Sequence, residues 1–300
     1  MTIGPTVRVG TRRSRLALAQ ATIAVRALPP RLGTPEIVTI VTEGDAISAR
    51  QPHGGWVVAN GQFTAELGSA LLEGRVDLVV HSFKDLPTEP VEGLVIAAVL
   101  ERGDARDCLL AAVGGGLDAM PRAGRVGTSS PRRVAQLSAR RPDLVAVPMR
   151  GNVETRLQRL REGEFDGLIL AAAGLDRLGI DVPPAARLPF EIMLPAPAQG
   201  ALALQVRADD TALLDALAPL DHRPTRVAVE AERALLREIG GGCLAPLGAL
   251  GEVLGERLRL RAAFEVRGGL SRAEAAGPVA EAARVVRHVA HDLATATVTA

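Results

Sequence analysis

Basic side chains cluster in the middle of the sequence, although the whole chain carries a formal net charge of only +1. The cluster consists of arginines within a short stretch: Arg132, Arg133, Arg140, Arg141, Arg150, Arg156, Arg159 and Arg161. Guanidinium groups hold carboxylates in bidentate pairs, so this pattern predicts a site for a small polyanionic ligand. The chain has one Trp, five Phe and no Tyr, a composition that argues against a surface for stacking nucleic-acid bases.

The only lysine of the chain, Lys84, stands beside an acidic residue, Asp85. The apolar run Val76 to Val80 predicts a strand that delivers His81-Ser82-Phe83-Lys84-Asp85 at its carboxyl end. A fixed ammonium and carboxylate at that place could bind charged groups and transfer protons. The alternatives are a solvated lysine and an aspartate that closes the turn before Leu86-Pro87.

The two cysteines, Cys108 and Cys243, lie far apart and have no metal-ligand spacing, which argues against a disulfide framework or a zinc site. His288 and His291 lack a third ligand, so no metal is expected. Cys243 follows three glycines, which would let a bulky group pack close to the backbone. A small buried cysteine is the alternative for Cys243, and Cys108 is interpreted as a core residue.

The elements that must position these groups are predicted to belong to α/β lobes. A short strand at Val7 to Val9 leads through a turn to a helix capped by Ser14. Arg8-Val9-Gly10-Thr11 recurs as Arg125 to Thr128, and Glu73-Gly74 before Asp77 recurs as Glu162-Gly163 before Asp166. These short identities predict two similar lobes around a cleft where helix N-termini favour anions, with coincidence as the alternative.

The predicted fold class is α/β, with two periplasmic-binding-protein-like lobes around a cleft and a smaller C-terminal α+β domain. The expected boundaries are 1–99 with 200–218 for the first lobe, 105–194 for the second, and 220–300 for the C-terminal domain. A proline-rich stretch, 195–200, is the candidate hinge, after which the strand 201–207 returns to the first lobe. The residues from 43 to 61 are expected to form a long loop.

Seven motifs together resemble porphobilinogen deaminases (hydroxymethylbilane synthases). They stand in the order and approximate spacing of that family: Thr11-Arg12-Arg13-Ser14, His81 to Pro87, Val126 to Arg133, Arg150-Gly151-Asn152, Ala172 to Arg177, Pro197-Ala198-Gln199-Gly200 and Gly241-Gly242-Cys243. The resemblance implies a transferase that condenses four porphobilinogen molecules into hydroxymethylbilane with loss of ammonia. It also implies a dipyrromethane cofactor attached to Cys243 through a thioether, and a C-terminal domain that presents this cysteine.

The resemblance assigns roles residue by residue. Asp85, with Lys84 beside it, is the expected catalytic group, because a fixed carboxylate stabilises the positive charge that develops when ammonia leaves. The expected cofactor-binding residues are Cys243, Arg12, Ser14, Ser82, Lys84, Asp85, Thr128, Ser129, Arg132, Arg133, Arg150 and Gly151. The expected substrate-binding residues are Arg12, Phe63, Arg150, Arg156, Arg177 and Gln199. The remaining clustered arginines are assigned to solvated helix faces: Arg140, Arg141, Arg159 and Arg161.

Two stretches depart from the family pattern. The lysines usual around Asn60-Gly61-Gln62-Phe63 are missing, and Gln205 stands where a glutamate is usual. The alternatives are therefore a non-catalytic anion-binding paralogue and, much less favoured, a nucleic-acid-binding regulator. We expect a cytoplasmic monomer that binds neither membranes nor nucleic acid, since no secretion signal or membrane-length apolar run is seen.

Overall fold

The computed structural model describes residues 6–42, 64–111, 116–240, 245–266 and 269–295. The first lobe is built on a five-stranded sheet in the order β2-β1-β3-β9-β4. Its strands are β1 (Arg8–Arg12), β2 (Glu36–Ile40), β3 (Leu78–Ser82), β4 (Leu94–Val99) and β9 (Leu202–Arg207). β1 pairs in parallel with β2 and β3, whereas β9 runs antiparallel to β3 and β4. The predicted return of the chain to the first lobe through β9 is confirmed.

Three helices cover this sheet: α1 (Arg15–Ala27), α2 (Ala65–Leu72) and α6 (Thr211–Leu217). Ser14 caps α1 as predicted, since its side chain accepts a hydrogen bond from the backbone nitrogen of Ala17. The buried face of α1 packs with strand residues such as Val9 and Leu78 to form the lobe's core. The predicted loop at 43–61 lies entirely outside the described residues.

The second lobe contains a four-stranded sheet in the order β5-β8-β6-β7. Its strands are β5 (Asp107–Ala111), β6 (Arg125–Gly127), β7 (Val145–Val147) and β8 (Gly167–Ala171). The helices α3 (Pro131–Arg140), α4 (Val153–Arg161) and α5 (Ala172–Arg177) accompany it. Cys108 is fully buried in this core, and burial raises the pKa of its thiol to about 11.

The two lobes repeat one another in detail. In the first, the backbone nitrogen of Arg8 donates to Asp77 Oδ2 at 2.9 Å; in the second, that of Arg125 donates to Asp166 Oδ2 at 2.7 Å. Each aspartate nitrogen donates back to the carbonyl of the same arginine, at 2.9 Å in both lobes. These paired bonds fix β1 beside β3 in the first lobe and β6 beside β8 in the second. The short sequence identities therefore mark a true repeat, and the predicted pair of similar lobes is confirmed.

The C-terminal domain combines an antiparallel sheet with two helices, as predicted. Its sheet contains β10 (Leu247–Leu254), β11 (Arg257–Val266) and β12 (Gly269–Pro278), and its helices are α7 (Arg223–Ile239) and α8 (Ala282–Thr295). α7 begins at Arg223, because the His222 ring accepts a hydrogen bond from the Thr225 nitrogen and caps the helix. Among the described residues, no helix combines the length and apolarity needed to span a bilayer.

The chain crosses between the two lobes twice, and a buried carboxylate joins both crossings to the C-terminal domain. Glu232 of α7 is fully buried and accepts hydrogen bonds from Arg102 Nη1 at 2.6 Å and from the Ala198 nitrogen at 2.6 Å. It also accepts one from the Gly251 nitrogen at 2.7 Å. A buried charge with this many donors has its desolvation offset, so Glu232 fixes the three domains relative to one another.

Candidate functional site

The Lys84–Asp85 pair lies where β3 ends at the junction of the three domains. A single 3-10 turn, Phe83–Asp85, follows the strand. Phe83 is buried beneath the turn, and Asp85 is exposed at its surface. The Lys84 ammonium donates to Gln199 Oε1 at 3.2 Å. The carboxylate of Asp85 is therefore accessible to a ligand, while the ammonium of Lys84 is restrained by its hydrogen bond to Gln199.

An arginine from the C-terminal domain fixes the backbone of this turn. Arg233 of α7 donates to the carbonyl oxygens of Leu86, at 2.9 Å, and of Pro87, and its guanidinium lies 4.6 Å from the centroid of the Phe83 ring. Sequence reasoning did not find Arg233. The signal it left is an arginine within the run of mostly apolar residues that forms the buried face of α7.

A second residue missed from the sequence, Asp107, organises the arginines of the second lobe. Its carboxylate is fully buried and accepts hydrogen bonds from Arg132 Nη1 at 2.6 Å and from Arg133 Nη2 at 2.7 Å. Burial by itself would raise the pKa of Asp107, but the charges and hydrogen bonds of the two arginines outweigh it and hold that pKa well below its usual range. Asp107 is thus a permanent internal counter-ion.

Asp107 and backbone carbonyls occupy only part of the guanidinium groups that the sequence analysis assigned to cofactor carboxylates. Arg132 also donates to the Leu194 carbonyl at 2.7 Å, and Arg133 donates to the Ile169 carbonyl at 2.8 Å. The Nε atoms of both arginines are buried without a hydrogen-bond partner among the described residues. Arg150 Nη2 is in the same condition. Buried donors without partners indicate a missing acceptor.

The neighbouring α4 brings further positive charge to the same region. Arg156 Nε donates to the Gly151 carbonyl at 2.8 Å. Gly151 has φ +102, and a Cβ there would lie 2.9 Å from Thr155, so the turn before α4 requires glycine. Burial, with the charges of Arg133 and Arg159, lowers the pKa of Arg156 to about 10. Like charges held together in this way favour a bound anion.

Arg12 and Arg177 approach from the other sides of the cleft. Arg12 ends β1, at the sheet edge where β3 delivers Ser82. Arg177 of α5 donates to the Gly200 carbonyl in the hinge. Burial lowers the pKa of Arg177 to about 10, partly opposed by the charge of Asp176. The predicted arginines therefore come from both lobes, Arg12 from the first and Arg177 from the second.

The predicted hydroxyl ligands all have structural partners. Ser82 Oγ accepts from Gln20 Nε2 at 2.8 Å, and Ser129 Oγ donates to the Met149 carbonyl at 2.6 Å. Thr128 is fully buried, and its Oγ1 accepts from the Ser130 nitrogen at 3.3 Å. Hydroxyls can donate and accept at once, so these bonds orient the groups and leave capacity for a ligand.

A cavity at the junction is lined by residues from every part of the fold: Lys84, Ser130, Arg132, Pro197, Arg233 and Ala245. Ala245 follows residues 241–244, which lie outside the described residues and include Cys243. Phe63 lies outside them as well. One residue that lines the cavity, Ala245, is therefore adjacent in the chain to the segment that carries the predicted attachment cysteine.

Gln205, which stands where the family usually has a glutamate, hydrogen-bonds to a buried histidine. Gln205 Oε1 lies 3.0 Å from His81 Nε2, and both side chains are buried. Burial lowers the pKa of His81 to about 4, although the hydrogen bond that its Nε2 donates to Gln205 opposes this shift. A neutral amide opposite a neutral imidazole avoids a buried charge beneath the Lys84–Asp85 turn.

The assignment of Arg141 and Arg159 to solvated helix faces is wrong. Arg159 is buried, donates to Glu164 Oε2 at 2.7 Å and lies 5.2 Å from the Phe165 ring centroid. Arg141 donates to Asp143 and to the carbonyls of Leu117 and Met120. Both pair with an acid beyond the end of their own helix, which helical spacing did not reveal. Arg140 and Arg161 are exposed, as expected.

Comparison with known proteins agrees with this geometry. Residues 7–215 match the family model described as "Porphobilinogen deaminase, dipyromethane cofactor binding domain", and residues 227–295 match "Porphobilinogen deaminase, C-terminal domain". The porphobilinogen deaminase of Thermobifida fusca is 47% identical over 298 residues, covering 95% of this chain and 92% of its own length. That of Roseiflexus sp. is 44% identical over 282 residues, covering 91% of this chain and 92% of its own.

The chain belongs to the porphobilinogen deaminase family. This membership makes it a hydroxymethylbilane synthase, a transferase, and favours the enzyme over the non-catalytic anion-binding paralogue. A solved structure of a putative methionine-binding lipoprotein from Bacillus subtilis aligns at 13% identity and a TM-score of 0.44, covering 72% of this chain and 90% of that chain. The assignment of a two-lobed α/β fold to this chain rests on its own strand order.

The site suits the dipyrromethane cofactor that the family binds. Each pyrrole ring of such a cofactor carries two carboxylates, and Arg132, Arg133 and Arg150 each carry a buried donor that has no partner within the described part of the chain. Arg156 and Arg177 add cations whose pKa values burial lowers. An anion that accepts hydrogen bonds from these groups would satisfy both the orphaned donors and the uncompensated charge.

Proposed function

We propose that this protein condenses four porphobilinogen molecules into hydroxymethylbilane, with release of ammonia, on a dipyrromethane primer joined to Cys243 through a thioether. The observation that carries the proposal is that two incompletely partnered arginines, Arg132 and Arg133, lie close enough to Lys84 to act on its charge. Arg132 and Lys84 also line the same cavity. The primer supplies a pyrrole ring to which further rings are linked. The protein's own residues must bind carboxylates, orient rings and stabilise charge.

Asp85 is the proposed catalytic group. It is exposed at the end of β3, and Arg233 restrains the backbone of its turn. A carboxylate fixed before the reaction stabilises the positive charge that develops as ammonia leaves a substrate ring, without reorganising at that moment. It can also accept and return a pyrrole N–H proton. Lys84, beside it, supplies a cation for a ring carboxylate.

The arginines are the proposed carboxylate anchors. Arg12, Arg132, Arg133 and Arg150 would hold the cofactor, with Ser14, Ser82, Thr128, Ser129 and Gly151 shaping its surroundings. Arg12, Arg150, Arg156 and Arg177 would hold incoming substrate, together with Phe63. The buried Gln199 would act on substrate only through its hydrogen bond to Lys84. These arginines would reach a ligand from both lobes, since Arg12 ends a strand of the first and the others belong to the second.

The location, assembly and domain limits are also part of the proposal. We infer a cytoplasmic monomer in tetrapyrrole and haem biosynthesis, supported by a free buried thiol at Cys108 and the near-zero net charge. Porphobilinogen is its proposed small-molecule partner, without nucleic acid or membrane. The proposed limits are 1–99 with 200–218, 105–194 and 220–300, which follow the membership of the three sheets.

The experiment is turnover of porphobilinogen by the purified protein, with ammonia and linear tetrapyrrole measured in the same sample. We expect one ammonia for each porphobilinogen consumed, and the Asp85→Asn variant should lose at least two orders of magnitude in kcat, the scale for removing a group that stabilises transition-state charge. Asp209→Asn is the matched control, since Asp209 lies in the loop after β9. Equal rates for the two variants would refute the role of Asp85.

A further inference from the structure

Gln199 of the hinge is fully buried, and both ends of its amide are engaged. Its Nε2 donates to the Ala105 carbonyl at 2.8 Å, to Asp107 Oδ1 at 3.0 Å and to the Arg106 carbonyl at 3.3 Å. Its Oε1 accepts from Lys84 Nζ at 3.2 Å. The side chain thus joins the only lysine, in the first lobe, to the internal counter-ion of the second lobe.

The orientation of this amide is fixed by chemistry. Turning it over would place its oxygen against two backbone carbonyls and a carboxylate, all of which are acceptors. Its nitrogen would then face the Lys84 ammonium, which only donates. Every contact would become repulsive, so Oε1 is committed to Lys84.

The backbone of Gln199 is held as firmly as its side chain. Its carbonyl accepts from Arg102 Nε at 2.8 Å, and its nitrogen donates to the Ala196 carbonyl at 2.9 Å. Arg102 in turn is paired with the buried Glu232 of the C-terminal domain at 2.6 Å. Gln199 is therefore a rigid part of the junction, with no exposed surface to offer a substrate.

We propose that Gln199 is a positioning residue that holds the Lys84 ammonium beside Asp85 and couples it to Asp107 of the second lobe, instead of contacting substrate itself. The functional meaning rests on the proposed role of Lys84 in condensation, whereas the hydrogen bond can be tested without it. The charged groups that face Lys84 are Asp85 and Asp107, which favour the ammonium, and Arg132 and Arg133, which oppose it.

Because Lys84 is the only lysine, its ammonium can be observed alone. Burial lowers the pKa of Lys84 to about 8, a value within reach of an NMR titration. In holoenzyme labelled with 15N-lysine, we expect one side-chain resonance whose ammonium protons exchange slowly with water. In the Gln199→Met variant, loss of the acceptor should lower the pKa of Lys84 by about one unit, the scale of a hydrogen bond to a charged group.

Gln136→Met is the matched control. Gln136 of α3 is also buried, and it donates to the Leu194 carbonyl at 3.0 Å and accepts from the Leu194 nitrogen at 2.8 Å, next to the hinge, but its hydrogen bonds do not include Lys84. Both variants remove a buried amide that makes hydrogen bonds in or beside the hinge, and both should lose stability. Only Gln199→Met should move the Lys84 titration and speed its proton exchange.

An unchanged Lys84 titration in Gln199→Met, or an equal shift in both variants, would overturn the proposal. If Gln199→Met does not fold, the unmodified protein decides, because ammonium protons that exchange as fast as those of free lysine would show that the hydrogen bond is absent. Failure of the proposed function would appear differently, as a protein that releases no ammonia from porphobilinogen yet keeps a protected Lys84.

Discussion

The Asp107→Asn variant tests whether the internal counter-ion of the second lobe is as important as its geometry indicates. Asparagine preserves the shape of the side chain but removes its charge, leaving Arg132 and Arg133 buried without the carboxylate that accepts from them at 2.6 and 2.7 Å. Removing one partner of a buried ion pair costs about 3–5 kcal/mol. With two arginines affected, we expect a loss at the upper end of that range in the free energy of unfolding.

The assay is urea unfolding followed by circular dichroism, combined with amide exchange of β5, the strand that begins at Asp107. Glu274→Gln is the control, because Glu274 makes an equally short two-point pair with Arg259, at 2.7 and 2.8 Å, on an exposed surface. An exposed pair contributes less than about 1 kcal/mol. If both variants lost less than about 1 kcal/mol, the reasoning about buried charge would be refuted.

The remaining predictions concern acid stability, the hinge and the catalytic turn. Because Asp107 has a lowered pKa in the folded protein, the stabilisation it provides is complete above its unfolded pKa of about 4 and is lost as the pH falls through the folded value. In Asp107→Asn, the free energy of unfolding measured against pH should therefore fall less steeply at acid pH. Gly200→Ala should lower the free energy of unfolding by about 1–3 kcal/mol, since Gly200 has φ +90 and a Cβ there would lie 2.7 Å from the Gly103 carbonyl oxygen. Gly74→Ala is the control and should lose less, because Gly74 has φ +67 but open space around it. Equal losses in urea unfolding would show that the predicted contact with Gly103 costs nothing. Arg233→Met should lower kcat by about tenfold or more by releasing the Asp85 turn, whereas Arg237→Met, on the same helix with an exposed hydrogen bond, should leave kcat unchanged; steady-state rates decide between them.

The sequence was sufficient for features that depend on local pattern. Strand and helix periodicity, the Ser14 cap and the repeated Arg–Val–Gly–Thr segments predicted both lobes, and the return through β9 followed from an apolar run after the hinge. Local pattern also placed Lys84 and Asp85 at a strand end. These predictions succeeded because neighbouring residues alone decide such features.

The rest depended on contacts between distant parts of the chain. Asp107 and Glu232 are ordinary acids in sequence, yet each is fully buried among donors that lie tens of residues away or more. Arg233 contacts a turn 146 or more positions earlier in the chain. Such buried polar groups are stabilised only by the assembled fold, so no spacing rule could find them.

The mass of the intact protein purified from cells tests the central claim most directly, with Cys243→Ala and Cys108→Ala as a matched pair. We predict an excess equal to one dipyrromethane in the unaltered protein and in Cys108→Ala, and none in Cys243→Ala. An unmodified mass that persists after incubation with porphobilinogen, or an excess that survives in Cys243→Ala, would contradict the account.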